Sequence, residues 1–420
     1  MSASRDFAPI LRVSDVPGQM TYRRSANAHN STHIGQIKLF LGAVEFLALP
    51  ITEKCDIVVY AGSAPGHTHQ VLADLFPRIR AFILVDPHER YIMGPRGANC
   101  VYLRSSSMHD DVSGARPNPH RDICFLSRDH IEVRIAKDDL RINSATPGSI
   151  AIDGAEGIAR AIAQHMDTTI GRGATTFYII EDLFTDDLAH AIAHAFDTSR
   201  IAFISDIRTR ASDDDDHPGD WDVVTNNMMQ QTWAHIMLPR AIMFKFRTPF
   251  FNRSDARTLA KLIDSPICAQ YCATFGFTPE EIYDPTHRAY RYLGHQSGPH
   301  EGLYLQAFAG SSSSETRLIA TREGTNNYEH IIWYDVRTFE DTMFYYNHMR
   351  DFSTTQRHAA LWRTVPGFDG CPDCDLAIRI LQMIPPRSTD RDALSPMDIL
   401  ARVLRVSGRT LAQGRHGMRL

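Results

Sequence analysis

Four ionisable residues stand where the surrounding sequence is apolar. Lys38 lies in GQIKLFLGAVEF, Asp206 ends RIAFISD, Lys245 interrupts AIMFKF, and Glu315 stands in SSSSETRLIA. Lysines and acids are rarely buried unless paired. Taken singly, each reads as half of an ion pair, or as a lysine whose ammonium reaches water from a strand end. Taken as a set, they fit a further chemistry. A lysine that is desolvated and crowded by another cation can lose its proton near neutral pH, which is what a general base for a ribose hydroxyl requires. Asp206 is the candidate for the group that orients it.

A second constellation lies in VVYAGSAPGHTHQVL, residues 58 to 72. Glycines between a buried strand and a helix let the backbone approach a ligand closely and leave helix amides pointing at it. Gly62 and Gly66 fit that role, in the spacing G-x-x-x-G. This is neither the dinucleotide fingerprint nor a phosphate-binding loop, because no Gly-Lys-Ser/Thr follows, so a pyrophosphate is not the expected guest. Asp86 ends the next strand 24 residues after Gly62, close to the separation of about 20 at which an acid accepts hydrogen bonds from a ribose diol. Together these features point to an adenosine-bearing ligand such as S-adenosylmethionine. By themselves they equally describe a packing turn with a capping aspartate.

The elements that must hold these residues are legible as short apolar runs. DIVVYAG and AFILVDP, separated by HTHQVLADLF, follow the strand, helix, strand pattern of a parallel sheet, so the fold class is α/β. FYIIEDLF, RIAFISDIR and AIMFKFR supply further strands, with the helical WDVVTNNMMQQTWAHIML between the last two. Ile34, Ile37, Leu41 and Val44 recur at helical spacing and predict an amphipathic helix ahead of the first strand. The pattern divides the chain into an arm (1–32), a core (33–345) and a helical extension (346–420). From about Pro95 to Gly173 it loosens into polar text too long for an ordinary loop, which predicts an inserted subdomain.

Composition narrows the function classes. With 420 residues and 43% hydrophobic content the chain can bury a large core. No leader-like start is visible, and the most apolar window, LFLGAVEFLALPI, is short and carries Glu45, so a cytoplasmic protein is expected. Seven scattered cysteines read as free thiols. A net charge of −5 announces no nucleic-acid binder globally, although ARVLRVSGRTLAQGRHGMRL at the end has five arginines and no acid.

Five stretches in order, GQIKLFLGAVEF, VVYAGSAPGHTHQVL, ISDIR, FKFRTPF and SETRLIA, resemble the poxvirus-type cap-specific mRNA (nucleoside-2′-O-)-methyltransferases, a family that also provides the regulatory (processivity) subunit of a poly(A) polymerase. The resemblance covers roughly residues 33 to 94 and 176 to 350. It implies a Rossmann-like S-adenosylmethionine-dependent methyltransferase fold, with a mostly parallel sheet and helices on both faces. By this similarity Lys38, Asp206, Lys245 and Glu315 fall on the catalytic Lys-Asp-Lys-Glu tetrad, which FtsJ-like enzymes share, with Lys245 acting on the hydroxyl. Gln36, Tyr60, Gly62, Gly66, Asp86 and Thr185 fall on cofactor-binding positions. Phe250 and Glu329 match the stacking aromatic and the guanine-reading acid of the cap pocket; Tyr22 is the candidate second aromatic, from its place in the arm. The family's second acid falls on Asn252, which brings no charge, and Arg208 could steer phosphate. Capped mRNA is the implied substrate, the host cytoplasm the implied location for a viral protein, and a poly(A) polymerase catalytic subunit a further implied partner. An RNA clamp beside that polymerase, and a 2′-O-methyltransferase of uncapped RNA, are the alternatives. No metal is required.

Other features carry less. Cys371 and Cys374 with Cys268 and Cys272 could form a four-thiolate zinc site, but ICAQYC is an apolar segment where structural thiols are commoner. SDDDDHPGDWD reads as a solvated loop, and the twenty histidines show no metal-ligand spacing.

Overall fold

The computed structural model describes residues 12–22, 35–64, 66–87, 99–103, 133–136, 139–142, 154–168, 175–180, 182–207, 219–249, 264–295, 298–310, 313–352, 372–385 and 395–406. The strands are β1 (Ile57–Ala61), β2 (Ala81–Val85), β3 (Asn99–Leu103), β4 (Val133–Ala136), β5 (Asp139–Ile142), β6 (Thr176–Ile180), β7 (Ile201–Ser205), β8 (Ala241–Phe246), β9 (Tyr283–Asp284), β10 (Ala289–Leu293), β11 (Gly302–Tyr304), β12 (Thr316–Thr321) and β13 (Ile331–Asp335). The helices used below are α1 (Gly35–Ala48), α2 (His69–Leu75), α3 (Gly154–Thr168), α4 (Asp186–Ala195), α5 (Asp220–Met237), α6 (Pro266–Phe275) and α7 (Val336–Phe352). The protein is α/β, with a mostly parallel mixed sheet in the order β11-β12-β8-β7-β1-β2-β6-β3, compatible with a Rossmann-like fold. The chain forms two compact units, and the division passes through α5 and β8.

The first unit, residues 54–207 and 230–242, holds the parallel strands. Every residue of β1, β2, β6 and β7 is buried. That is the reason these runs are continuously apolar rather than alternating: a parallel strand covered on both faces has no solvent side. β1 pairs with β2 on one side and with β7 on the other, so the order of chain connection reverses beside β1. Phe184 packs on Phe203 and Trp233 with ring centroids 5.4 and 4.8 Å away. Within the stretch expected as an insertion, β3 pairs in parallel with β6 and so supplies the edge of the sheet, while β4 and β5 form a separate antiparallel pair.

The second unit comprises residues 1–53, 208–229 and 243–420. Its helix α1 is buried on all faces, from Ile37 to Leu47, instead of presenting the polar face that an amphipathic reading expects. The helix stops at Ala48 because Leu49 precedes Pro50 and the ring of Pro50 disfavours helical backbone there. β13, β10 and β9 form an antiparallel sheet. Its tyrosines pack on the end of β8: Phe246 lies 5.6 Å from Tyr292 and 5.0 Å from Tyr334. Their buried hydroxyls are satisfied, since Tyr292 donates to Asn227 O and Tyr334 to Leu293 O, each at 2.7 Å. The extension expected to be helical contains the end of α7, which begins within the expected core, and helices at Pro372–Gln382 and Pro396–Val406. No helix among the described residues is long and apolar enough to cross a membrane.

Candidate active site

In the first unit the candidate residues converge at the carboxyl edge of the parallel sheet. Ala61, Val85, Ile180 and Ser205 are register partners, so Gly62, Asp86 and Asp206, which follow three of them, leave the sheet side by side. Gly62 and Asp206 are two of these residues, and they touch. Gly62 has φ +76°, and a Cβ there would lie 2.8 Å from the Asp206 carbonyl carbon and 2.9 Å from Ile207 N. Only glycine meets both demands, a left-handed backbone and a neighbouring chain at contact. Gly66 is also left-handed, at φ +79°. Asp86 is 7% exposed, and its Oδ2 accepts a hydrogen bond from Ala64 N at 3.0 Å, so it ties down the loop between the two glycines. This crevice, where strand connections reverse, is the position at which open α/β sheets bind ligands.

Two other predicted cofactor residues have structural duties. Tyr60 is buried in β1, with its ring edge-on to His69 of α2 at 5.3 Å. Thr185 is the N-cap of α4, its Oγ1 accepting from Leu188 N at 3.2 Å. Gln36 lies in the first turn of α1, and its side chain is outside the described residues.

In the second unit three of the four tetrad residues meet. Lys38 Nζ of α1 donates to Glu315 Oε1 at 2.7 Å, and Lys245 Nζ of β8 lies 3.3 Å from Glu315 Oε2. One carboxylate thus holds two ammonium groups, with side-chain exposures of 3% for Lys38 and 12% for Lys245. The strands enforce this. Thr316 Oγ1 donates to Phe246 O at 3.1 Å, fastening the start of β12 to the end of β8, and Asn227 Nδ2 donates to Arg247 O at 3.2 Å just beyond. Asp206, the fourth member, belongs to the other unit, beside Gly62.

Sequence reasoning missed several charged residues here. Arg317 lies two residues after Glu315, so on a strand it shares the same face, and it is 3.8 Å from Glu315 Oε1. Glu340 of α7 accepts from Thr248 Oγ1 at 3.2 Å and from Ser314, which bridges the segment after Lys245 to the one before Glu315. Burial raises its carboxyl to about 7 and that of Glu45 to about 8.

These two shifts fix the sign of a pH effect on stability. The ordinary value is 4.5, so in the window between it and the raised value the unfolded chain has released a proton that the folded chain retains. Stability is therefore full below the unfolded value and falls as pH rises through the window, by about 1.4 kcal/mol per pH unit for each group. Glu45→Gln should flatten this slope by one group's share, measured as urea-unfolding free energy at pH 6, 7 and 8. An unchanged slope would mean that Glu45 is ionised in the folded protein.

The cap candidates are divided. Tyr22 is half-buried against α7, with its ring edge-on to Phe344 at 5.4 Å and its N–H donating to Asp341 Oδ1 at 2.8 Å. The acid beside Tyr22 is thus Asp341, which its sequence neighbourhood did not single out. Glu329 is exposed and follows Asn326, Asn327 and Tyr328, three consecutive residues with φ of 51°, 58° and 66°. Asparagine tolerates that region but tyrosine does not readily, so the burial of Tyr328 must hold the turn. Phe250, Asn252 and Arg208 lie outside the described residues.

The cysteine and acidic motifs resolve locally. Cys268 and Cys272 share a turn of α6 with sulfurs 4.0 Å apart, and burial raises both thiols. Cys371 and the Cys374 side chain are outside the described residues. Among the described residues no three His, Cys, Asp or Glu side chains are grouped to hold a metal. The acidic run ends by capping α5, where Asp222 Oδ2 accepts from Gly219 N at 2.9 Å.

No model of a known protein family matches the chain, and no curated protein matches its sequence.

Proposed function

We propose that the chain is an S-adenosylmethionine-dependent RNA 2′-O-methyltransferase acting on capped mRNA. The observation that carries this reading is the buried Lys38–Glu315–Lys245 cluster, which places a lysine amine beside a second cation under one carboxylate. The crevice residues fit the cofactor: a left-handed glycine at the sheet's switch point, and an acid after the second strand. Bound there, S-adenosylmethionine supplies a methyl group on a sulfonium, a leaving group that needs no metal.

The chain's residues supply placement and a proton acceptor. Lys245 takes the proton of the ribose 2′-hydroxyl as its oxygen bonds to the methyl carbon and the methyl–sulfur pair departs with sulfur. Glu315 fixes the amine of Lys245 and holds the positive charge of Lys38 near it. Asp206 keeps the role the resemblance gives it, that of the tetrad's acid. Orientation of this kind is worth about 7 to 11 kcal/mol of barrier in well-placed intramolecular reactions.

The test is methyl transfer from labelled S-adenosylmethionine to matched capped and uncapped RNAs, with the methyl group mapped to the 2′-oxygen. Absence of 2′-O-methyl product from both would sink the reading. Asn252 favours one alternative, a 2′-O-methyltransferase of uncapped RNA, because a neutral side chain there recognises a methylated guanine less strongly than an acid. Stimulation of a poly(A) polymerase is a further property of the proposal, testable by adding the chain to its cognate catalytic subunit.

Cap recognition has its own expected result. Phe250→Ala should weaken a 7-methylguanosine cap analogue by a stacking loss of about 1 to 3 kcal/mol, with cofactor affinity unchanged. Glu329→Gln and Asp341→Asn then separate the two candidate acids: the one that reads guanine loses the preference for the methylated over the unmethylated analogue. Titration by fluorescence quenching reads all three. A wild type without that preference would transfer support to the uncapped substrate.

A further inference from the structure

The lysine pair has a buried electrostatic neighbour that methyl transfer as described leaves unused. Lys38, Gly42 and Glu45 fall on one face of α1, at spacings of four and three residues. Arg317 runs along that face, since a Cβ at Gly42 would lie 3.6 Å from its Nε. Its guanidinium is 3.8 Å from Glu315 Oε1, and Glu45 feels the charge of Arg12 first and that of Arg317 second. Both Arg317 and Glu45 are 2% exposed. Glu45 Oε1 has no hydrogen-bond partner among the described residues. A buried acid so poorly served adds nothing to packing that an apolar side chain would not supply better. Such groups call for another explanation.

We propose that Glu45 is a positioning residue for the Lys38–Glu315–Lys245 cluster, acting through Arg317, whose positive charge it shares with Glu315. The proposal rests on the reading of that cluster as the methyl-transfer site. With Glu45 protonated, the guanidinium acts on Glu315 without competition from Glu45. With Glu45 ionised, the guanidinium is divided between two carboxylates, and the added negative charge favours the ammonium form of the lysines. Formation of the free amine is then opposed above the Glu45 midpoint of about 8. Among the described residues, the charged and titratable groups facing Glu45 are Arg12 of the arm, Arg317 of β12 and Tyr304 of β11, with Lys38 on its own helix.

Glu45→Gln tests this, because it fixes the neutral form that already prevails at pH 7. The variant should fold, bind S-adenosylmethionine as wild type does, and lose the restraint at high pH. Its ratio of single-turnover rates at pH 9 and pH 7 should exceed the wild-type ratio about fourfold. A purely structural role would shift the melting temperature and leave that ratio alone. A second measurement needs neither variant stability nor activity. In wild type labelled with 13C-glutamate, the Glu315 carboxyl resonance should show a step at the Glu45 midpoint. Superimposable pH profiles, or a Glu315 resonance blind to Glu45, would overturn the proposal. If wild type transfers no methyl group, the proposed function fails and the resonance experiment alone decides the coupling.

Discussion

Lys245→Ala should lower methyl transfer by at least about a hundredfold while leaving both substrates bound, the range expected for removing a positioned general base. The residue is the fifth of β8, with its side chain 12% exposed and its amine 3.3 Å from Glu315 Oε2. Lys245→Arg should fail as badly, because a guanidinium stays protonated and cannot take the hydroxyl proton. Removing one cation leaves Glu315 held by Lys38 at 2.7 Å and by Arg317, so the fold should survive the change. The measurement is single-turnover transfer with cofactor and RNA affinities determined in parallel. Substantial turnover by either variant would take the base away from Lys245.

The second large effect concerns Asp86. Asp86→Ala should weaken S-adenosylmethionine by about tenfold to a hundredfold, the worth of hydrogen bonds to a charged acceptor. Here the structure adds a complication that the sequence could not supply, because Oδ2 already accepts from Ala64 N. Alanine therefore removes a loop tether together with any ribose contact. Asp86→Asn separates the two, since its amide oxygen can keep the Ala64 bond while the charge is lost. Calorimetry should find both variants weak if the carboxylate holds a ribose diol. An asparagine variant that binds as wild type does, beside a weak alanine variant, would reduce Asp86 to a loop tether. Unchanged affinity in a folded alanine variant would remove it from the site.

By itself the sequence determined the local elements. β1, β2 and β7 fall inside the runs read as strands and β6 starts one residue ahead of its run, because strands buried on both faces must be continuously apolar and rich in branched side chains. Gly62 reads as a place where backbone approaches a ligand; what requires glycine here is its left-handed φ and the Asp206 carbonyl carbon, which would lie 2.8 Å from an added Cβ. What the sequence could not determine is which distant segments meet. Glu315 joins lysines from α1 and β8 because Thr316 is fastened to Phe246, and no local period encodes that pairing. The same limit hid the burial of α1 on every face. Its apolar spacing marks one stripe, whereas coverage of the rest depends on what packs around it, and only that packing turns Glu45 into a buried acid within electrostatic reach of Arg12 and Arg317. Tyr22 meets Asp341 across some 319 residues of chain, a contact decided by where the arm lies on α7. Periodicity reports the environment each residue needs; the tertiary structure alone chooses the neighbours that provide it, because those contacts depend on strand order and chain path rather than on adjacent side chains.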